Sequence, residues 1–195
     1  MLIERLFMTK KPLIITIVVA IFVVGLGYLI QTIPPESEII QVEMVSNEGE
    51  PMGTIDLVET TAGVMLRLNL KGLGNGEEHA IHIHEKGKCT PAGSFTDAGG
   101  HFNPRENKHG MQHPEGQHAG DMPNLKPDEE GVLKTQFLNK FITLNDDDQG
   151  ERASVFDADG SSIVIHEGAD DHMSQPSGDA GARLACGVIS KKTEQ

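Results

Sequence analysis

The stretch LRLNLK at residues 66–71 decides the fold class, because leucine alternates with a polar residue along its whole length. Successive side chains of an extended strand point to opposite faces, so this period of two predicts a strand with one buried face. Turn clusters such as GLGNG, NDDDQG and DADG separate similar short segments, and sustained helical periodicity is missing beyond residue 39. The sequence therefore predicts an all-β fold, an antiparallel sandwich or barrel. The candidate strands are residues 40–44, 54–59, 66–71, 80–85, 132–137, 141–144, 161–166 and 183–190.

One interval of the chain breaks this pattern of short strands and tight turns. Residues 86–130 carry little strand character and are rich in glycine, proline and histidine. Loops of that length inside a compact domain are usually functional. The whole chain has 195 residues, a formal net charge of −13 and a pI near 5.0. Because nucleic acids need clustered Lys and Arg, this charge argues against a nucleic-acid partner.

An uncharged run of 18 residues, Leu13 to Ile30, follows the basic residues Arg5, Lys10 and Lys11. As a helix it would span roughly 27 Å, close to the roughly 30 Å hydrocarbon core of a bilayer. The basic flank predicts a cytoplasmic N-terminus and an extracytoplasmic remainder. A cleaved signal peptide is the alternative, although GLGYLI before Gln31 offers no A-x-A cleavage site.

The same reading divides the chain into three parts. Residues 1–33 are predicted to form the cytoplasmic flank and transmembrane anchor, or signal, residues 34–38 a short linker, and residues 39–195 the extracytoplasmic domain. The predicted localisation is thus the cell membrane with a single pass, or secretion if the N-terminal segment is cleaved. Beyond residue 33 there remain 13 Lys and Arg against 28 Asp and Glu, so the exported part has a formal net charge of −15.

The histidines are the most informative residues of the domain. His82 and His84 stand two apart on a predicted strand, so both rings leave the same face and could chelate a metal ion. His166 ends another predicted strand. Taken alone, each of these could also be an ordinary surface histidine. Imidazole nitrogens together favour copper, which the Irving–Williams order places above its neighbours.

The long loop adds a second group of candidate ligands. His101, His109, His118 and Asp121 follow one another at gaps of 8, 9 and 3 residues. Three imidazoles and a carboxylate suit tetrahedral zinc, the alternative being chance clustering in a histidine-rich loop. Cys89 and Cys186 are the two cysteines of the chain, and in an exported protein such a pair indicates a disulfide rather than two free thiols.

Several motifs together resemble the copper/zinc superoxide dismutase family over roughly residues 39–190. They are HAIHIHE at 79–85, GGHFNP at 99–104, KHG at 108–110, HAGDMPN at 118–124, IVIHEGADD at 163–171 and GARLACGVI at 181–189. The resemblance implies a flattened, eight-stranded, antiparallel Greek-key barrel with long metal-binding loops. The segment between residues 168 and 183 is short and lacks lysine, which is typical of the bacterial branch.

The resemblance also assigns roles to individual residues. Copper would be bound by His82, His84, His101 and His166, and zinc by His101, His109, His118 and Asp121, with His101 bridging the two ions. Arg183 would guide the anion beside copper, and Cys89 and Cys186 would form the family disulfide. Asp170 would link a copper ligand to a zinc ligand, and His79 would lie near copper. His113 and His172 match no family ligand and are expected to be exposed loop residues.

The implied activity is conversion of superoxide to O₂ and hydrogen peroxide by alternating Cu²⁺/Cu⁺ redox, with zinc in a structural role. Two other hypotheses share this fold: a non-enzymatic domain that binds or delivers copper, and a relative that has lost its metals. All seven ligand positions are filled, and a delivery protein would be expected to expose thiolates or a Met cluster. The enzyme is therefore the favoured hypothesis. A homodimer is compatible with the resemblance.

Overall fold

The computed structural model describes residues 39–191. The predicted anchor at residues 1–33 and the linker at residues 34–38 lie outside this range. Within it, no helix is long and apolar enough to cross a membrane.

Nine strands and two short 3-10 turns make up the regular structure of the described residues. The two turns are Pro91–Gly93 and Thr96–Ala98, both in the long loop. The strands are β1 Ile39–Ser46, β2 Pro51–Thr60, β3 Gly63–Leu70, β4 Ile81–His84, β5 Leu133–Asn139, β6 Ile142–Thr143, β7 Ala153–Ser154, β8 Ser161–His166 and β9 Arg183–Ile189.

Seven of these strands form one antiparallel sheet in the order β4-β8-β9-β1-β2-β3-β5. The hairpins β1–β2 and β2–β3 join sequence neighbours, whereas β9 pairs with both β8 and β1. The predicted alternation is confirmed in β3, where Leu66, Leu68 and Leu70 are buried while Arg67 and Asn69 are exposed. The apolar faces of the strands pack into one main core cluster.

The all-β prediction is confirmed, but the strand inventory differs from the eight antiparallel strands expected. Eight of the nine strands correspond to predicted segments, and the one that was missed, β7, has two residues and too few side chains to alternate. It pairs with β6 in parallel. Glu59 at the end of β2 holds this region, since its carboxylate accepts from the Leu144 amide at 2.6 Å and from Arg152 Nη1 at 2.8 Å.

Strands β4 and β8 are buried on both faces, and this places the histidines inside the protein. Ile81 and Ile83 point into the main core, as the alternation predicts. His82 and His84 point the other way, yet they are also buried. The long loop covers them, through isolated bridges that pair His82 with Asp121 and His84 with His101.

Candidate metal centre

Two groups of ligand-type side chains meet beneath the long loop. The first consists of His82, His84, His101 and His166, and the second of His101, His109, His118 and Asp121. In each group the candidate ligand atoms lie within 4.8 Å of one another. The sequence predicted both groups, and His101 belongs to both.

Hydrogen bonds select one free nitrogen on each ring of the first group. His82 Nε2 lies 2.8 Å from Asp170 Oδ2, so the proton sits on that nitrogen and Nδ1 stays free. His84 Nδ1 faces the Gly99 carbonyl oxygen at 3.0 Å, and His166 Nδ1 faces that of Gly181 at 3.3 Å. In these two rings the free nitrogen is therefore Nε2. A partner on one nitrogen is the usual way in which proteins fix the tautomer and orientation of a metal-binding imidazole.

The four free nitrogens are buried without a hydrogen-bond partner among the described residues. They are His82 Nδ1, His84 Nε2, His101 Nε2 and His166 Nε2. A buried polar atom without a partner costs roughly 1–3 kcal/mol, and four of them facing one place would be expensive unless something binds there. Four convergent imidazole nitrogens fit a copper ion, so the donor set agrees with the metal that the sequence indicates.

The second group surrounds a single carboxylate oxygen. Asp121 Oδ1 lies 3.1 Å from His101 Nδ1, 3.0 Å from His109 Nδ1 and 3.3 Å from His118 Nδ1. His101 Nδ1 and His118 Nδ1 are 3.4 Å apart. Four ligands at about 2.0–2.1 Å from a tetrahedral zinc ion are about 3.3–3.4 Å from one another. The spacing of these four atoms therefore fits zinc.

The buried negative charge of the second group also indicates that a cation binds there. Burial would raise the pKa of Asp121, but hydrogen bonds from His101, His109 and His118 hold it well below its usual range. Burial would lower the pKa of His109, but hydrogen bonds to Asp121 and Asp170 outweigh burial and raise it to about 9. A buried carboxylate that stays ionised needs a positive partner. Without a metal that partner is a protonated His109, and a zinc ion would take its place.

The rings of the first group differ from His109 of the second group in the direction of their pKa shifts. Burial lowers the pKa of His82 to about 3 and that of His166 to about 4, and it also lowers the pKa of His84 and His101. All four rings are therefore neutral at pH 7. Neutral imidazole is the form that binds a metal ion, so His82, His84 and His166 need no proton removed before they can act as ligands. His101 belongs to both groups, so it would have to lose its remaining ring proton to bind a metal through each nitrogen.

Asp170 connects the two groups. Its Oδ2 accepts from His82 Nε2 at 2.8 Å, and its Oδ1 accepts from His109 Nε2 at 3.0 Å. Asn124 holds the backbone of Asp170 in place, because its side chain donates to the Asp170 carbonyl at 2.8 Å and accepts from the Asp170 amide at 2.9 Å. Each group thus contains one ring that is oriented by the same carboxylate.

Arg183 at the start of β9 lies beside the first group, and its charge contributes to the lowered pKa of His84 and His166. Its guanidinium donates to the carbonyl oxygens of Phe95 and Gly99 in the long loop. The Cys89–Cys186 disulfide ties the same loop to β9, as predicted, with the two Cα atoms 5.6 Å apart.

Three further histidines lie outside the two groups. His79 is buried, and its Nδ1 faces the His166 carbonyl oxygen at 2.9 Å, so it supports the backbone of a predicted copper ligand. His113 is partly buried, not exposed as expected, and its Nδ1 accepts a hydrogen bond from the Glu115 amide. The expectation that His172 is exposed was wrong. Its side chain is only 16% exposed, because its amide donates to Asp170 Oδ1 at 2.7 Å and its ring packs near that carboxylate.

Sequence reasoning missed two residues that shape the site. Gln175 hydrogen-bonds to both backbone groups of His109. Gly178 lies with positive φ directly against Asp170 and His109, where a Cβ atom would clash. A glutamine and a glycine in a polar loop carry no periodicity or charge pattern, so only the folded arrangement identifies them.

Comparisons with known proteins agree with this geometry. The sequence model of the family described as copper/zinc superoxide dismutase matches residues 52–189. Superoxide dismutase [Cu-Zn] 2 of Aquifex aeolicus is 50% identical over 147 residues, which cover 75% of this chain and 84% of that protein. Superoxide dismutase [Cu-Zn] of Caulobacter vibrioides is 42% identical over 146 residues, which cover 74% and 81%.

Solved structures give the same result. The crystal structure of a superoxide-dismutase-like protein from Bacillus subtilis superposes with a TM-score of 0.72 at 35% identity, covering 78% of this chain and 100% of that one. The copper/zinc superoxide dismutase from Brucella abortus gives a TM-score of 0.62 at 28% identity, covering 78% and 100%. The chain thus belongs to the copper/zinc superoxide dismutase family and is an oxidoreductase that dismutes superoxide with copper and zinc as its cofactors.

Proposed function

We propose that copper is held by His82 Nδ1 and by the Nε2 atoms of His84, His101 and His166, and zinc by His101, His109, His118 and Asp121. One observation carries the copper assignment: these four buried nitrogens, and no others on their rings, lack a hydrogen-bond partner within residues 39–191. The zinc assignment rests on the distances from Asp121 Oδ1 to the three imidazole nitrogens, which are close to those between ligands of a tetrahedral zinc ion. When bound there, copper would supply the redox chemistry, in which one superoxide gives up an electron and a second superoxide receives it.

His101 is the residue that moves a proton in this proposal. Its Nδ1 is directed at the zinc group and its Nε2 at the copper group. When Nε2 is not used as a ligand, it can hold a proton while Nδ1 remains fixed beside Asp121. The ring then donates that proton to the reduced oxygen species, a second proton comes from the solvent, and the product leaves as hydrogen peroxide. Proton transfer from a positioned imidazole typically contributes 10²–10⁴-fold to a rate.

Arg183 holds the substrate anion in this proposal. Superoxide carries one negative charge and the exported domain is strongly acidic. The net charge of the domain therefore repels the substrate at long range. The guanidinium is fixed by two carbonyl oxygens, which accept hydrogen bonds but do not neutralise its charge. It can therefore present a permanent positive charge beside the copper group.

The replacement His166→Ala tests the copper assignment. It removes one of the four free nitrogens, so copper content should fall and dismutation should be lost, while zinc content stays near that of the wild type. The matched control is His113→Ala, which removes a histidine of the long loop that belongs to neither group and should leave metal content and activity unchanged. Full activity in a His166→Ala protein of verified metal content would contradict the assignment.

We also propose that residues 1–33 anchor the enzyme, with the domain from residue 39 onward outside the cytoplasm. Support comes from the uncharged run at residues 13–30 and the basic residues before it. Fractionation of cells should place the protein with the membranes. A mature N-terminus near residue 31 in the soluble exported fraction would show cleavage instead.

Two finer points of architecture belong to the same proposal. We propose that the curled seven-stranded sheet and the β6–β7 pair together form the flattened Greek-key barrel of the family, which the superposition on the Bacillus subtilis structure supports. The homodimer remains a prediction. Sedimentation of the purified domain distinguishes one copy from two.

A further inference from the structure

The zinc-group residue His109 sits in a bend outside the strands, and its backbone lacks the usual backbone partners. In the described part of the chain, neither its amide nor its carbonyl takes part in a backbone–backbone hydrogen bond. Gln175 supplies both partners instead. The His109 amide donates to Gln175 Oε1 at 3.0 Å, and Gln175 Nε2 donates to the His109 carbonyl at 2.9 Å.

The Gln175 side chain takes the place of a neighbouring β-strand, because it pairs with both the backbone amide and the backbone carbonyl of His109. Buried backbone groups are nearly always paired, so without Gln175 two polar groups beside the metal centre would need other partners. Gln175 Nε2 also donates to the Met173 carbonyl at 3.0 Å, which fixes the amide within its own loop. The side-chain amide of Gln175 is therefore fixed both to His109 and to its own loop.

The loop that carries Gln175 closes on His109 from several sides. Asp170 Oδ1 accepts from the ring at Nε2. The Gln112 amide donates to the His172 carbonyl at 3.2 Å, so the segments on either side are joined as well. Gly178, with a φ of +71°, lies flat against Asp170 and the ring of His109, where a Cβ atom would overlap both. The segment 170–178 thus contacts both the ring and the backbone of His109.

The other zinc-group residues are held differently. The amide of His118 donates to Asp121 Oδ2 at 3.0 Å, so these two residues position each other within one turn. The backbone of His101 is positioned against β4 by an isolated β-bridge to His84. Among the contacts of residues 39–191, His109 is the one zinc-group residue whose backbone is fixed by a side chain from a distant loop, 66 residues away in sequence.

We infer that Gln175 is a positioning residue that sets how long the enzyme retains zinc, acting through the backbone of His109. This inference rests on the zinc assignment proposed above. Residues just outside a ligand set typically change metal affinity by 10–100-fold when they are replaced. Within residues 39–191 Gln175 makes no hydrogen bond to a copper-group side chain or to Arg183, so its direct effect falls on the zinc group.

The experiment compares the copper- and zinc-loaded wild-type domain with Gln175→Ala and Gln175→Asn. Zinc release to an excess of chelator is followed at pH 7, and Co²⁺ loaded in place of zinc reports the ligand geometry through its visible spectrum. Gln175→Ala should release zinc at least tenfold faster and alter the Co²⁺ spectrum. Gln175→Asn is shorter by one methylene and cannot reach both backbone groups, so it should release zinc nearly as fast. Copper content should not change.

The matched control is Gln41→Ala, which removes an exposed glutamine on β1 that bonds to Asp56. Equal zinc release from Gln175→Ala and the wild type would overturn the inference, and so would the same acceleration in Gln41→Ala. A loss of stability in the metal-free Gln175→Ala protein with unchanged zinc release would assign the residue to the fold alone and also overturn it. A wild-type protein that retains no zinc would contradict the zinc assignment itself, which separates the two failures.

Discussion

Removing the Cys89–Cys186 disulfide by the double replacement Cys89→Ala and Cys186→Ala should destabilise the metal-free domain by a calculable amount. The bridge closes a loop with a sequence separation of 97 residues. In the chain-entropy model a loop of that length stabilises the fold by up to about 4.7 kcal/mol. For a domain of about 150 residues each 1 kcal/mol lowers Tm by roughly 2–4 °C, so we expect a decrease of roughly 10–20 °C.

Calorimetry of the metal-free proteins measures this decrease. Alanine is chosen because Cys186 is fully buried and serine would place a hydroxyl in an apolar cluster with Phe95 and Val164. Wild-type protein treated with a reductant serves as the control and should unfold near the same temperature as the variant. A variant whose Tm lies within 2 °C of the oxidised wild type would refute the entropic reasoning.

Three further predictions concern the anion site, the pH response and the β6–β7 region. Arg183→Ala should lower kcat/KM roughly tenfold, at the low end of electrostatic steering effects, while metal analysis still finds both metals; an unchanged rate would remove its guiding role. In the metal-free fold burial holds the pKa of His82 near 3 and that of His166 near 4, below the ordinary 6.5. The unfolded chain therefore takes up protons first, and urea midpoints should fall as the pH drops from about 6.5 towards 4; a flat profile would contradict this. Glu59→Gln should cost about 1–2 kcal/mol in urea unfolding, because it removes the charged partner of the partly buried Arg152; a change below 0.5 kcal/mol would refute it.

The strands and the ligand sets could be predicted from the sequence because both have local signatures. Alternation identified β3 and the His-x-His spacing identified β4, since a strand turns a period of two directly into a shared face. The loop ligands were recognisable because His101, His109 and His118 stand in motifs of a known family.

What the sequence did not predict depends on contacts between distant segments. The strand β7 lies beside a contact between distant segments, in which Glu59 of β2 accepts hydrogen bonds from the Leu144 amide and from Arg152. His172 was expected to be exposed, but the carboxylate of Asp170 draws its amide inward. Gln175 became visible only when the structure placed it against His109. Such residues act through geometry that no local pattern encodes.

The position of β9 in the sheet has a consequence for how the enzyme is made. β9 follows all the other described strands in sequence, yet it lies between β8 and β1 and joins the two halves of the sheet. A ribosome delivers β1, β2 and β3 early, and these neighbours can pair as they emerge. The pair β4 and β8 has no hydrogen-bonded link to these strands within the sheet until β9 is added, and β9 also brings Arg183 and Cys186. Every proposed metal ligand therefore precedes β9 in the sequence, so a nascent chain carries the complete ligand set before it has the strand that joins the two halves of the sheet.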